Sequence, residues 1–155
     1  MEPSRNCIEF IKKEESLMLT SYQDTAGVWT IGWGSTMYKS GIRVTRGEKI
    51  TREQADDLLV WEIKNKSIAV SAALHNVALN QNQYDALVSF TYNVGVGGFV
   101  NSTLVKIVKK NPCDPYIREC FAMWNKITVN GKKVVSKGLT NRRQRESDLY
   151  FSPKI

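Results

Sequence analysis

The sequence predicts an α+β fold in which a small antiparallel sheet lobe and a larger helical lobe are joined by a long helix. Three observations support this prediction. Aromatic and branched residues between positions 22 and 44 are interrupted by glycines, a pattern typical of short strands with tight turns. Apolar residues then recur at helical spacing from position 51 to about 74. Several shorter stretches with helix-start signals follow, up to about position 150.

The chain has the length and composition of one domain. Its 155 residues, 42% hydrophobic and 24% charged, are typical of a globular protein with a single core. The sequence contains no repeat, low-complexity tract or interdomain linker. We therefore expect one domain over residues 1–155, with the sheet lobe at about 16–50 and the helical lobe at about 75–155 together with the N-terminal helix.

The first two helices have recognisable N-terminal signals. Ser4 can cap a helix whose apolar residues fall on one face, and Glu15 lies at the end of that helix. Thr51 and Gln54 have the spacing of a capping box, in which each side chain binds the other residue's backbone N–H. The helix that follows should run to about Leu74, a length of roughly 35 Å.

Later elements are marked by caps and turn residues. Asn130-Gly131 stands between β-branched residues and predicts a two-residue hairpin. The predicted helix boundaries are Gly95 at the end of one helix, Ser102 at the start of another, Asp114-Pro115 before a helix from Tyr116 to Lys126, and Thr140 as the cap of a last helix to about Tyr150.

The charge of the chain indicates an anionic partner. The chain has a net charge of +7 and a pI of about 9.4. A protein this basic is attracted to nucleic acid, to an anionic lipid surface or to an anionic cell-wall polymer. Lysines and arginines are scattered or paired, without a long basic block, and we identify no nucleic-acid-binding motif. Charge alone leaves the three partners open.

Several site types are disfavoured by the residues present. Cys113 and Cys120 would lie about 10 Å apart on one helix, so we expect no local disulfide and predict reduced thiols, with Cys7 as the third. One histidine and no cysteine pair at ligand spacing argue against structural zinc. Gly32 and Gly34 lack the other residues of a phosphate loop. We predict no signal peptide or transmembrane segment, because no apolar stretch is long enough.

Three residues near the N-terminus suggest a glycosidase site. Glu15 and Asp24 can flank a glycosidic bond, one giving a proton to the leaving oxygen and the other helping water to attack from the opposite face. Thr30 can hold that water. Taken without their surroundings, a Glu and an Asp at this spacing are more often two solvated surface charges.

A glycine-rich turn is the candidate for substrate binding. Tyr92, Asn93 and Ser102 flank this turn and supply a ring, an amide and a hydroxyl, which suit the N-acetyl and hydroxyl groups of sugars. The alternative is a plain helix connection with Gly95 as the C-cap.

The chain resembles the phage lysozymes and endolysins of glycoside hydrolase family 24 along nearly its whole length. The resemblance is carried by separate blocks in the right order. They are Glu15-Ser16-Leu17, Tyr22-Gln23-Asp24, residues 27–34 (Gly-Val-Trp-Thr-Ile-Gly-Trp-Gly), residues 50–55 (Ile-Thr-Arg-Glu-Gln-Ala), residues 87–95 (Leu-Val-Ser-Phe-Thr-Tyr-Asn-Val-Gly), Ser102-Thr103-Leu104, Trp124 and residues 138–143 (Gly-Leu-Thr-Asn-Arg-Arg).

The resemblance implies a lysozyme-like fold and a role for each matched residue. Glu15 corresponds to the catalytic acid, Asp24 to the second carboxylate, Thr30 to the hydroxyl that positions water, and Arg142 to an arginine close to the catalytic Glu. The implied reaction is hydrolysis, usually with inversion, of the β-1,4 bond between N-acetylmuramic acid and N-acetylglucosamine in bacterial peptidoglycan. The resemblance implies no metal or organic cofactor.

Two positions depart from the family pattern. Ser16 replaces a common Gly and Ser35 a common His, but neither change removes a catalytic atom.

Three other functions compete with hydrolysis: a wall-binding module, a nucleic-acid binder and a lytic transglycosylase. Asp24 and Thr30 argue against a lytic transglycosylase, because residues that position water have no purpose where water is not the nucleophile.

We expect a monomer without stable membrane insertion or nucleic acid, held in the host cytoplasm until a holin opens the membrane.

Overall fold

The computed structural model describes residues 1–153, which form helices and two small antiparallel sheets and confirm the predicted α+β class. The elements follow one another along the chain as α1 (Arg5–Glu14), β1 (Met18–Gln23), β2 (Trp29–Gly32), α2 (Arg52–Ala73), α3 (Gln81–Val94), α4 (Val96–Val100), α5 (Thr103–Lys110), α6 (Ile117–Ala122), β3 (Lys126–Val129), β4 (Lys132–Val135) and α7 (Lys137–Tyr150).

Contacts divide the chain into two compact units. We call Ile8–Asn65 the sheet unit; the helical unit consists of Met1–Cys7 and the chain from Lys66 onward. Helices α1 and α2 each begin in one unit and end in the other. The lobe limits expected from the sequence, about 16–50 and 75–155, stay a prediction.

The sheet unit is built on the β1–β2 hairpin. Tyr22 pairs with Thr30 and Gln23 with Trp29, and the register shifts between Met18 and Tyr22. The strands expected as far as position 44 are shorter than predicted: between Gly32 and position 44 only isolated bridges occur. Glycines in the left-handed region turn the chain there before a ladder can extend.

Both N-terminal caps predicted from the sequence are confirmed. The Ser4 hydroxyl accepts from the Cys7 N–H at 3.1 Å, and α1 begins at the next residue after Ser4. Thr51 and Gln54 exchange side-chain bonds of 2.8 and 3.1 Å with each other's backbone N–H groups. These bonds satisfy donors that the first turn of α2 leaves without an intrahelical partner.

The helical unit is packed around aromatic rings from α3, α4, α6 and α7. Phe90 lies in the middle, with the rings of Phe99, Phe121 and Trp124 each in edge-to-face contact at 5.6 to 6.4 Å. Tyr150 extends the cluster from Phe121 at 5.9 Å. The predicted boundaries at Gly95 and Ser102 are confirmed as the C-cap of α3 and the N-cap of α5.

Two later predictions need correction. The helix expected from Tyr116 to Lys126 covers only Ile117–Ala122, because the chain turns there into strand β3. Thr140 is not the cap of α7 but lies inside it, donating to the Ser136 carbonyl at 2.9 Å. The Ser136 hydroxyl is the cap, accepting from the Leu139 N–H at 3.2 Å.

The hairpin predicted at Asn130-Gly131 is confirmed between β3 and β4. Both turn residues have positive φ, 51° and 78°, as this two-residue turn requires. All eight strand residues are exposed.

The three cysteines are free thiols, with Cys7 and Cys120 buried and Cys113 exposed. Within residues 1–153, no helix has the length and apolar character needed to span a bilayer.

Candidate active site

Glu15 follows directly on the end of α1 and rests against a glycine. Its N–H donates to the Ile11 carbonyl at 3.0 Å, which fixes its backbone to the last helical turn. The side chain is half-buried. A methyl group built on Gly34 would lie 3.1 Å from Glu15 Oε2, and Gly34 has a φ of +96°. The carboxylate therefore occupies space that only a glycine at position 34 leaves open.

Asp24 stands in the turn between β1 and β2 with one of its two oxygens occupied. Oδ1 accepts from the N–H groups of Ala26 and Val28, both at 2.9 Å. The Asp24 N–H in turn donates to the Val28 carbonyl at 2.9 Å. Such charge-assisted bonds hold the carboxylate in one orientation. Oδ2 has no hydrogen bond within residues 1–153, and the side chain is exposed.

Thr30 lies on β2 directly opposite Tyr22 and is only 5% exposed. Its hydroxyl donates to the Val28 carbonyl at 3.0 Å. Because a hydroxyl has one donor and two lone pairs, this bond leaves the oxygen able to accept from a water molecule.

Tyr22 connects the two carboxylates electrostatically, a role that the sequence reasoning missed. Burial, followed by the negative charges of Glu15 and then of Asp24, raises the pKa of the Tyr22 phenol. Both carboxylates therefore act on the same side chain, which is paired across the hairpin with Thr30. The available signal was the closeness of Tyr22 to Asp24, two residues further along the chain.

A second cluster in the sheet unit surrounds Trp33. The indole Nε1–H donates to Asp56 Oδ1 at 2.7 Å, and Lys12 Nζ lies 3.3 Å from the same oxygen. Lys12 and Arg52 also approach the Trp33 ring, at 5.4 and 5.9 Å from its centre. Burial acts to raise the pKa of the Asp56 carboxyl, but the hydrogen bonds of Trp33 and Lys12 and the charges of Lys12 and Arg52 lower it overall.

Arg142 lies in the helical unit as part of a buried ionic network on α7. Its Nε donates to Glu146 Oε2 at 3.2 Å, and its Nη2 is 3.5 Å from the Ser89 carbonyl. Glu146 is fully buried and also accepts from the Ser89 hydroxyl at 2.6 Å and from Arg143 Nη1. The predicted proximity of Arg142 to Glu15 stays a prediction.

Arg143 connects this network to Asn93, one of the predicted substrate-binding residues. Arg143 Nη2 donates to Asn93 Oδ1, and Arg143 Nε donates to the Trp124 carbonyl at 2.9 Å. The guanidinium also lies 5.1 Å from the centre of the Phe90 ring. Asn93 is therefore held by its carbonyl oxygen, and its NH₂ group remains a potential donor.

Asn93 borders a cavity of about 570 Å³ in the helical unit. Apolar side chains and cationic groups share its wall, which includes Trp124, Lys126, Lys133 and Arg143. Tyr92 is half-buried and not part of this wall. Ser102 is only 2% exposed, and its hydroxyl caps α5, donating to the Phe99 carbonyl and accepting from the Val105 N–H. The structure thus brings Asn93, but not Tyr92 or Ser102, to this cavity, and their substrate-binding role stays a prediction.

Comparison with known proteins gives consistent matches. A family model described as phage lysozyme matches residues 12–146. The endolysin of Acyrthosiphon pisum secondary endosymbiont phage 1 is 37% identical over 152 residues, covering 98% of this chain and 99% of that protein. The endolysin of Salmonella phage P22 is 36% identical over 152 residues, with the same coverage of both chains. The solved structure of an endolysin from Escherichia coli O157:H7 phage FAHEc1 has a TM-score of 0.92 and 41% identity, covering 99% of this chain and 98% of that one.

Helices with small antiparallel sheets, and a hairpin that carries an acidic side chain at its turn, are features of a lysozyme-type glycoside hydrolase. The matches are more specific than the fold alone. The chain belongs to the phage lysozyme family, which confirms the resemblance seen in the sequence. It is a muramidase that hydrolyses peptidoglycan and causes bacterial lysis.

Proposed function

We propose that this chain hydrolyses the β-1,4 bond between N-acetylmuramic acid and N-acetylglucosamine, with Glu15 as the general acid and Asp24 and Thr30 positioning the attacking water. The observation that carries the proposal is geometric: the Asp24 N–H and the Thr30 hydroxyl both donate to the Val28 carbonyl, at 2.9 and 3.0 Å. Glu15 Oε2 lies against Gly34, two residues after the end of β2.

The proposed reaction divides the work between the two carboxylates. Glu15, in its protonated form, gives its proton to the glycosidic oxygen of the leaving sugar. A water held by the Thr30 hydroxyl and by Asp24 Oδ2 attacks the anomeric carbon from the opposite face, and Oδ2 accepts its proton. Asp24 suits this role because Oδ1 alone is occupied by backbone N–H groups. Attack from the opposite face inverts the anomeric configuration and requires carboxyl carbons about 6.5 to 9.5 Å apart.

The helical unit supplies the supporting residues of the proposal. Arg142 stabilises the Glu15 carboxylate after proton transfer, and Asn93 donates its NH₂ to an N-acetyl or hydroxyl oxygen of the sugar. Tyr92 and Ser102 flank the same turn as Asn93, and the sugar-binding role expected for them stays a prediction. The basic wall of the cavity next to Asn93 suits an anionic wall polymer. The reaction needs neither a metal nor an organic cofactor.

The decisive experiment is mass spectrometry of purified peptidoglycan after digestion. Hydrolysis leaves reducing muropeptides that carry the added water, whereas a lytic transglycosylase leaves 1,6-anhydro products that are lighter by one water. Glu15→Gln should abolish release of either product, and Asp24→Asn should slow it strongly because the amide cannot accept the proton. Anhydro products would refute the water-positioning roles. Binding to walls without any product would identify a wall-binding module instead.

We also propose that the enzyme acts as a monomer and waits in the host cytoplasm until a holin opens the membrane. The support is the endolysin character of the relatives. Fractionation of intact cells that produce this chain alone should find it in the cytoplasm, and its appearance in the periplasm would contradict holin dependence. Sedimentation analysis tests the monomeric state.

A further inference from the structure

We propose that Trp33 is a positioning residue, which acts through Asp56 and Lys12 to keep the Gly34 backbone against the Glu15 carboxylate. The inference rests on the proposed role of Glu15 and extends it to residues for which the resemblance implied no role. All five residues belong to the sheet unit.

The contacts form a closed chain that begins and ends at Glu15. Lys12 lies on the last turn of α1, whose Ile11 carbonyl accepts from the Glu15 N–H. Lys12 Nζ is 3.3 Å from Asp56 Oδ1 on α2, and the same oxygen accepts from Trp33 Nε1 at 2.7 Å. Trp33 precedes Gly34, whose Cβ position would lie 3.1 Å from Glu15 Oε2. Displacement of any link therefore alters the space around the carboxylate.

Trp33 is suited to this task because it is held in more than one way. Its side chain is only 8% exposed, its N–H meets a charged acceptor, and the cations of Lys12 and Arg52 lie near its ring. A hydrogen bond to a charged acceptor is stronger than one between neutral groups, and the cation–π contacts add to it. A Phe side chain could fill the ring position but has no donor for Asp56.

Position matters at Glu15 because a general acid must come within about 3.2 Å of the atom that receives its proton. An error of about 1 Å in the placement of reacting groups can cost about 100-fold in rate. The Trp33, Asp56 and Lys12 contacts fix the backbone on one side of Glu15, while α1 fixes the other. We therefore expect their loss to lower kcat rather than to weaken substrate binding.

Four variants separate this role from general stability. Trp33→Phe keeps a ring between Lys12 and Arg52 but removes the N–H donor, and Asp56→Ala removes the acceptor. Each should lower kcat about 10-fold with KM changed less than about twofold. Asp56→Asn keeps an oxygen for the Trp33 N–H and should recover most of kcat. Asp57→Ala is the matched control, an exposed acid one residue further on α2, and should leave kcat unchanged.

A second readout is independent of activity. The ¹³C chemical shift of the Glu15 carboxyl, measured by NMR at one fixed pH and at a temperature where every variant is folded, should differ from the wild-type value in Trp33→Phe and Asp56→Ala. Asp57→Ala should leave this chemical shift unchanged. An inactive wild type would refute the proposed function, while the carboxyl chemical shift would still decide whether the cluster controls the surroundings of Glu15. Wild-type kcat and an unchanged chemical shift in Trp33→Phe and Asp56→Ala would overturn the inference, as would equal losses in Asp57→Ala.

Discussion

Glu146 in the helical unit and Asp24 in the sheet unit are both carboxylates held by hydrogen bonds, but they differ in how many of their oxygens those bonds occupy. Glu146 is fully buried, and both of its oxygens accept from Ser89 or from the arginines of α7. Asp24 is exposed, and its Oδ2 has no partner within the part of the chain that the structure describes. A carboxylate with both oxygens occupied can only stabilise the fold, whereas one with a spare oxygen can take part in a reaction.

The largest effect is expected at Glu146. Glu146→Ala leaves Arg142 and Arg143 buried without their carboxylate, which should cost about 3 to 5 kcal/mol of unfolding free energy. Asp148→Ala is the control, since its ion pair with Arg118 is half-exposed and should contribute less than about 1 kcal/mol. Denaturant unfolding measures both values. Equal small losses in the two variants would show that burial does not distinguish these carboxylates.

The next largest effect is a loss of catalytic rate at Glu15 without a loss of stability. Glu15→Gln keeps the size and most hydrogen bonding of the side chain but cannot donate the carboxylic proton. The muralytic rate should fall at least about 100-fold, equivalent to about 2.7 kcal/mol, while the unfolding midpoint stays close to that of the wild type. Glu14→Gln is the neighbouring control and should remain active. If Glu15→Gln retains more than a tenth of the rate, Glu15 is not the acid.

A smaller effect on kcat is expected at Gly34, where comparison with Gly41 separates backbone strain from contact with Glu15. Gly34→Ala places a methyl group against Glu15 Oε2 at a residue with φ of +96°, whereas Gly41→Ala has a similar φ of +88° with nothing within 4 Å. Both should lose about 1 to 2 kcal/mol of stability from the left-handed backbone. Only Gly34→Ala should also lose kcat, by about 10-fold. Equal activity of the two variants would show that this contact does not affect the reaction.

The smallest expected effect is a change in the titration of Tyr22. Because burial, Glu15 and Asp24 raise its pKa, the folded state binds the phenolic proton more tightly, and this stabilisation is present below pH 10 and lost as pH rises through the folded pKa. Glu15→Gln and Asp24→Asn each remove a negative charge and should lower the Tyr22 pKa, Glu15→Gln the more. NMR titration of the phenol carbon measures the shifts. An unchanged value in both variants would place the carboxylates beyond electrostatic reach of Tyr22.

Local signals in the sequence predicted the fold better than they predicted the site. The Ser4 cap, the Thr51 and Gln54 capping box and the Asn130-Gly131 turn depend on residues at most three positions apart, and all are confirmed. Thr140 was predicted as the cap of α7, but Ser136 has the same capping chemistry. Ser136 is the cap because strand β4 ends at Val135, directly before it.

The contacts that shape the site depend on distant residues. Trp33 and Asp56 are 23 positions apart, and Asn93 and Arg143 are 50 apart. Spacing along the chain carries no information about such pairs, since they meet only after helices and strands have packed. The resemblance gave roles to Glu15, Asp24 and Thr30. Trp33 lies in one of the matching blocks but received no role, because its contacts with Asp56 and Lys12 form only in the folded chain.

Of the three free cysteines, one is accessible to thiol reagents in the native chain. Thiol reagents react with the thiolate, and burial, followed by the charges of neighbouring acids, raises the pKa of both Cys7 and Cys120. Cys113 is exposed in the turn between α5 and α6. A maleimide fluorophore or a nitroxide spin label should therefore attach at Cys113 alone, without any engineered substitution. Paired with one introduced cysteine in the sheet unit, such a probe would report distances within the working enzyme as it degrades a cell wall.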